Sequence, residues 1–269
     1  MEVDTAAALA LAVDAARAAG EVILAHDGAR PGAQRGQTPR MKGPRDPVTV
    51  ADLASERLIV PRLRAACPQA AIVAEEETHD RPGDGLAWYV DPLDGTVNFS
   101  QAHPFFAVSI ALYRGPEPLV AVVHAPRLRE TFAARAGGGA TLNGEALAVS
   151  GTQRLEDALL GTGFAYRRNE LPDDNVAHFA DFVLRVRDLR RCGSAALDLA
   201  YVAAGRLDGY WEPHLNAWDV AAGALLVREA GGLVTDMRGG AGWLHGRSLL
   251  AAPEALHGPM LHVLAGGAG

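Results

Sequence analysis

The stretch Trp88-Tyr89-Val90-Asp91-Pro92-Leu93-Asp94-Gly95-Thr96-Val97-Asn98-Phe99 decides how the chain is read. An apolar strand breaks into a turn here, with two carboxylates three residues apart. Strand ends are where α/β folds gather ligands, and Pro92 and Gly95 fix a turn that aims Asp91 and Asp94 at a common point. The hydroxyl of Thr96 follows at once. Ligands that are all oxygen suit magnesium or manganese better than zinc, and magnesium is usually held by a few carboxylates while a substrate phosphate completes its shell.

Spacing sets aside two near neighbours. Haloacid-dehalogenase phosphatases carry Asp-x-Asp-Gly-Thr and form an aspartyl-phosphate on the first Asp. Here one more residue intervenes, so that geometry does not transfer. An EF-hand loop needs carboxylates at alternate positions and a Glu at the twelfth, and neither follows Asp91.

Working outward, Asp46-Pro47-Val48-Thr49-Val50-Ala51-Asp52 opens a helical pattern through Leu53, Leu58 and Leu63. Ile72-Val73-Ala74-Glu75-Glu76-Glu77 is an apolar strand running into three acids. Trp218-Asp219-Val220-Ala221-Ala222-Gly223 heads another helix. With Gly193-Ser194-Ala195-Ala196, and in this order and spacing, these segments resemble the inositol monophosphatase family of metal-dependent, lithium-sensitive phosphatases. The resemblance runs from about Asp4 to the last strand near Leu250.

Taken singly, each segment has a plainer reading. Asp91 and Asp94 could cap a turn. Glu75 to Glu77 could be a solvated charge run, Asp219 a helix N-cap, and Asp52 a surface residue in a first helical turn. Together these readings leave unexplained why four acidic sites each sit at the boundary of an apolar element.

The resemblance implies a layered αβαβα sandwich over residues 1–269, an N-terminal α+β part (1–150) meeting a C-terminal α/β part (151–269) at the active site. It implies two or three magnesium ions per site, with manganese as a substitute. Glu75, Asp91 and the Leu93 carbonyl hold the first ion, and Asp91, Asp94 and Asp219 the second. Asp52 and Thr96 form the pair that orients and deprotonates the attacking water, with Glu76 as a further carboxylate and no phosphoenzyme. The phosphate meets Gly95 and Thr96, where a short helix begins. Substrate hydroxyls meet Gly193, Ser194, Ala195, Glu212 and Asp219, and Glu212 suits two vicinal hydroxyls of a polyol. Lys42 is a candidate for positioning the water, and Thr162, on a Gly161–Phe164 turn, for a sugar contact.

An inositol-1-phosphate monophosphatase is the first choice of activity. Histidinol phosphate, fructose 1,6-bisphosphate and nucleotide 3′-phosphates are the alternatives. An RNA-polymerase-associated regulator is the reading from a different class, and homodimers are common among relatives.

Composition agrees with this. The 269 residues are 49% hydrophobic, enough for a sizeable core. A net charge of −7 argues against binding nucleic acid through the whole field of the protein. Arg185, Arg187, Arg190 and Arg191 form the local basic cluster, read as a solvated helix face before an attractor of anions. Cys67 and Cys192 imply no disulfide framework and fit a reducing cytoplasm. No signal peptide is expected, no apolar run suits a membrane span, and the nine histidines show no zinc motif.

Periodicity predicts helices over Thr5–Leu24, Val50–Ala66 with a kink or break at Pro61, Ala195–Ala204 and Asp219–Ala230, the last two closed by Gly205 and Gly231. It predicts strands over Ala71–Ala74, Trp88–Asp91, Phe106–Tyr113, Leu119–His124, Thr131–Arg135, Ala158–Thr162 and Leu207–Glu212. Asn143-Gly144 is a hairpin signal. The Gly-, Pro- and Arg-rich stretch from Asp27 to Asp46 reads as a mobile loop or lid. Gly137-Gly138-Gly139 precedes a strand hairpin and so is no nucleotide loop.

Overall fold

The structure is a computed structural model that describes residues 3–26, 40–43 and 45–267. Helix α1 (Thr5–Ala25) begins at Asp4, whose carboxylate accepts from the amides of Ala6 and Ala7. A short antiparallel pair, β1 (Arg40–Gly43) and β2 (Asp46–Val48), leads into α2 (Val50–Ala66). The lid expected over Asp27–Asp46 thus falls on 27–39 and Pro44, outside the described residues, and on a hairpin that is strand and not loop.

Helix α2 runs through Pro61 unbroken, so of the kink or break expected there the break does not occur. Pro61 and Arg57, whose carbonyl loses its partner, both face solvent, so water replaces the missing hydrogen bond. Ile59, Val60 and Leu63 hold the opposite face in the core.

Next come β3 (Ala71–Ala74), β4 (Leu86–Asp94), the single turn α3 (Thr96–Ser100), β5 (Ala107–Arg114), β6 (Glu117–Ala125), β7 (Glu130–Arg135), β8 (Ala140–Leu142) and β9 (Glu145–Ala146). They form a seven-stranded sheet in sequence order, parallel only at β3–β4. Asn143 and Gly144 close the β8–β9 hairpin with φ of 51° and 94°, as a type I′ turn requires. The amides of Gly137 and Gly139 are taken by the Glu229 carboxylate, which accounts for the glycine run.

The second half supplies β10 (Leu159–Thr162), α4 (Val176–Val183), β11 (Asp188–Arg190), α5 (Ala195–Ala203), β12 (Gly209–Pro213), α6 (Ala217–Glu229), β13 (Leu233–Thr235), α7 (Trp243–Gly246), β14 (Ser248–Ala252) and α8 (Glu254–Leu264). The five-stranded sheet has the order β11-β10-β12-β14-β13. Helices α1 and α2 cover one face of the large sheet, α5 and α6 fill the space between the sheets, and α4 and α8 cover the outer face of the small one. This is the expected αβαβα sandwich. The chain closes with α8, past the strand near Leu250 where the resemblance was expected to end. No helix among the described residues is long and apolar enough to cross a membrane.

The α1–sheet seam makes a direct prediction. A Cβ on Gly20 would stand 2.7 Å from Cδ2 of the buried His124 and 3.0 Å from Cβ of Pro126. Gly20→Ala should therefore lower stability by about 1–2 kcal/mol in urea denaturation, overpacking outweighing the helix propensity of alanine.

Candidate active site

Asp91, Pro92, Leu93 and Asp94 do not leave the sheet, as a turn would. Strand β4 continues to Asp94 with its register to β5 broken between Asp91 and Asp94. An irregularity of this kind re-aims side chains, and it turns both Asp91 and Asp94 into one pocket. Glu75, Leu93, Gly95, Thr96 and Asp219 line the same pocket, as do Gly193, Ser194, Ala195 and Glu212. The segment can turn because Gly95 adopts φ 91°, and a Cβ there would stand 3.0 Å from the Phe105 carbonyl.

Each acid is held by its own element. Asp91 accepts from the Leu93 amide at 3.0 Å. Asp94 accepts from the Ser194 hydroxyl and the Ala196 amide, both at 2.7 Å, which ties β4 to the start of α5. Asp219 is not the N-cap of α6, which is Asn216, but the third residue of its capping box; one of its oxygens accepts from the Asn216 amide at 2.7 Å.

Asp52 is fully buried, not a surface residue. One of its oxygens accepts from Thr49 as the third residue of a capping box, and the other accepts from the Thr96 hydroxyl at 2.7 Å. Lys42 reaches from β1 to Glu75 at 2.8 Å and to Glu76 at 3.0 Å. Of the three-acid run only Glu77 is a solvated surface charge, in a bidentate pair with Arg57.

Electrostatics mark the pocket as short of positive charge. Burial pushes Asp91 and Asp219 well above the usual carboxylate range, and repulsion from Glu75 adds to both. Burial raises Asp94 to about 6 against the opposing bonds from Ser194 and Ala196. Glu76 is raised to about 7 by burial and Glu75, with Lys42 pulling it down. Glu212 also reaches about 7, burial outweighing the bond it accepts from the Tyr210 hydroxyl. Like charges buried at this density call for a cation.

Two sequence readings need correction. Thr162 lies in β10, not on a turn. It is fully buried, donates to the Trp211 carbonyl at 2.7 Å and receives Asn175, so it serves the core and not the pocket. The Arg185–Arg191 cluster is no helix face. Residues Asp188–Arg190 are strand β11, Arg187 pairs with Asp157, Arg190 pairs with Asp188, and Arg191 lines the pocket.

Several contributors escaped sequence reading. Glu56 is buried and accepts from the amides of Glu76 and Glu77 at 2.9 and 3.0 Å, which fixes the loop carrying Glu75. Ser55 donates to the Pro92 carbonyl at 2.7 Å. Their signal was available: with Asp52 they are polar residues on the face of α2 that also carries Ile59 and Leu63. Asn98 donates to the Phe105 and Cys192 carbonyls, joining α3 to the turn before α5. Asp198 and Tyr166 also line the pocket.

The positioning role of Glu56 is testable. Glu56→Ala leaves two loop amides without acceptors and should cost roughly 2–4 kcal/mol in urea denaturation. Magnesium affinity, measured by titration calorimetry, should fall with it because Glu75 loses its support.

Comparison with known proteins gives matches over nearly the whole chain. The sequence model of the inositol monophosphatase family matches residues 4–265. The chain is 50% identical over 203 residues to the Nus factor SuhB of Pseudomonas aeruginosa, covering 74% of this chain and 75% of that protein. It is 42% identical over 222 residues to the inositol-1-monophosphatase of Mesorhizobium japonicum, covering 82% and 84%. The solved inositol monophosphatase of Anabaena (Nostoc) sp. PCC 7120 superposes with a TM-score of 0.88 at 38% identity over 99% of this chain and 98% of that one. On the fold, the carboxylate-lined pocket and these matches, the chain belongs to the inositol monophosphatase family.

Proposed function

We propose that this phosphoric monoester hydrolase depends on magnesium and acts on the phosphate ester of a polyol, inositol 1-phosphate first. The observation that carries the reading is the carboxylate set. Glu75, Asp91, Asp94 and Asp219 reach one pocket from the end of β3, from β4 and from α6, and none of the three aspartates has an ion pair among the described residues. An all-oxygen donor set of this charge fits magnesium, with manganese as the substitute. No three His, Cys, Asp or Glu side chains among the described residues already stand in metal-holding geometry. Lys42 pairs with Glu75 at 2.8 Å.

By this reading Glu75, Asp91 and the Leu93 carbonyl would hold one ion, and Asp91, Asp94 and Asp219 would hold another. When bound, such ions polarise the phosphate and make water a better nucleophile. The chain's own residues do the rest. Thr96 gives its proton to Asp52, which leaves the hydroxyl oxygen able to accept from the attacking water. Asp52 is anchored from the other side by Thr49 and cannot swing away. Lys42 and Glu76 form a further charged pair beside the same water. The Gly95 and Thr96 amides head α3, where first-turn N–H groups lack intrahelical acceptors and suit a phosphate oxygen. The Ser194 hydroxyl is committed to Asp94, so the turn before α5 offers its backbone to substrate. Glu212 and Asp219 keep oxygens for substrate hydroxyls.

The alternatives remain histidinol phosphate, fructose 1,6-bisphosphate and nucleotide 3′-phosphates. Lithium inhibition, a homodimer and a cytoplasmic location go with the reading. The test is phosphate release from inositol 1-phosphate with magnesium and with EDTA; release that ignores EDTA overturns the metal assignment.

A second reading is favoured by the 50% identity to a protein named a Nus factor. It gives the chain a transcriptional role borne by its surface, alongside catalysis. Co-purification with RNA polymerase that persists in an Asp94→Asn variant would support it, and no polymerase in the purified fraction would count against it.

A further inference from the structure

Arg191 is a pocket cation to which nothing above gives a task. It follows β11 and is the one Lys or Arg in a lining that holds seven Asp and Glu residues, among the described residues. Its side chain is exposed and has no hydrogen bond or ion pair with another described residue. The backbone makes a seat for it. Gly193 adopts φ 90°, and a Cβ there would stand 2.6 Å from Arg191 Nη1, so the guanidinium lies in space that any other residue would fill. Asn98, at 3.2 Å from the same point, holds the Gly193 turn through the Cys192 carbonyl.

The guanidinium lines the same pocket as Asp198 and Glu212. Its charge pulls both carboxyls down against the upward push of burial, yet it bonds to neither. Asp198 is itself buried and one of its oxygens lacks a partner. A gap with donors on one side and acceptors on the other matches a hydroxyl, which accepts from the guanidinium and donates to a carboxylate at once. A second phosphate there would meet the carboxylates of Glu212 and Asp198, two against the single cation of Arg191, and is disfavoured by charge.

We propose that Arg191 is a substrate-specificity residue: it donates a hydrogen bond to a polyol hydroxyl that in turn donates to Glu212, and so selects polyol monophosphates over bisphosphates. This rests on the phosphatase reading of the same pocket.

The test is steady-state kinetics of wild type, Arg191→Met and Arg191→Lys on inositol 1-phosphate with magnesium, with inorganic phosphate as competitive inhibitor. Arg191 is exposed, so neither change disturbs the core. Arg191→Met should raise KM about ten- to hundredfold, the size of one charge-assisted hydrogen bond, with the loss in KM and not in kcat. The inhibition constant of inorganic phosphate, which has no polyol, should stay within about twofold. Arg191→Lys should recover part of the loss. An unchanged KM overturns the proposal, and so does a KM that rises in parallel with the phosphate inhibition constant. Wild type that spares inositol 1-phosphate but cleaves another ester overturns the polyol reading. Wild type inactive on every ester overturns the phosphatase reading, and the proposal falls with either.

Discussion

Asp94→Asn should lose magnesium-dependent phosphate release by at least about a thousandfold, while the protein stays folded. The Asp94 oxygen that receives Ser194 and Ala196 can be the amide oxygen of asparagine, so the tie between β4 and α5 survives. The remaining oxygen becomes an NH₂ group. Two donors then face Asp91 and Asp219 where a cation needs an acceptor. The fold gains from losing a buried like charge, so circular dichroism should be unchanged and the metal-free melting temperature equal or higher. Full activity in this variant would sink the assignment of Asp94 as a metal ligand.

The second large effect is on stability against pH. Asp94 titrates at about 6 and Glu76 and Glu212 at about 7 in the fold, with Asp91 and Asp219 raised well above their ordinary value of 3.8. These folded values lie above the unfolded ones, so between them the folded state binds more protons. The contribution is full below about pH 4 and is lost as pH rises through 7. Metal-free protein should therefore melt at progressively lower temperature from about pH 5 to pH 8. On the proposed assignment magnesium binds the ionised acids and should reverse the trend. At a hundredfold excess over its dissociation constant it should raise the melting temperature at pH 8 by about 5–10 °C. The same addition at pH 5 should do much less. Calorimetric scans at both pH values check this, and a magnesium shift equal at both would contradict it.

How much of this was legible follows from what kind of signal each residue leaves. The αβαβα layering was carried by the resemblance, and its periodic elements, such as β3 and α2, were readable to the residue because burial alternates cleanly there. Pro61 misled because a proline on a solvent face costs little when water serves the orphaned carbonyl. Helix α4 and strands β11 and β13 escaped because they are short, and α8 because Gly258 and Pro259 interrupt its pattern. At the site, the acids of the Asp91–Asp94 and Glu75–Glu76 segments stood beside apolar runs and were visible. Glu56 and Ser55 showed only as polar residues on the core face of α2; which backbone groups they meet is decided by tertiary contact. Thr162 failed for the converse reason. A threonine between glycines reads as a turn, but the pleat of β10 points it toward Asn175 and Trp211.

The measurement that bears most directly on the central claim is phosphate release from inositol 1-phosphate, fructose 1,6-bisphosphate, histidinol phosphate, adenosine 3′,5′-bisphosphate and NADP, each with magnesium and with EDTA. The carboxylate pocket predicts release that requires magnesium, greatest on inositol 1-phosphate. Release equal in magnesium and EDTA, or none from any ester, would contradict it.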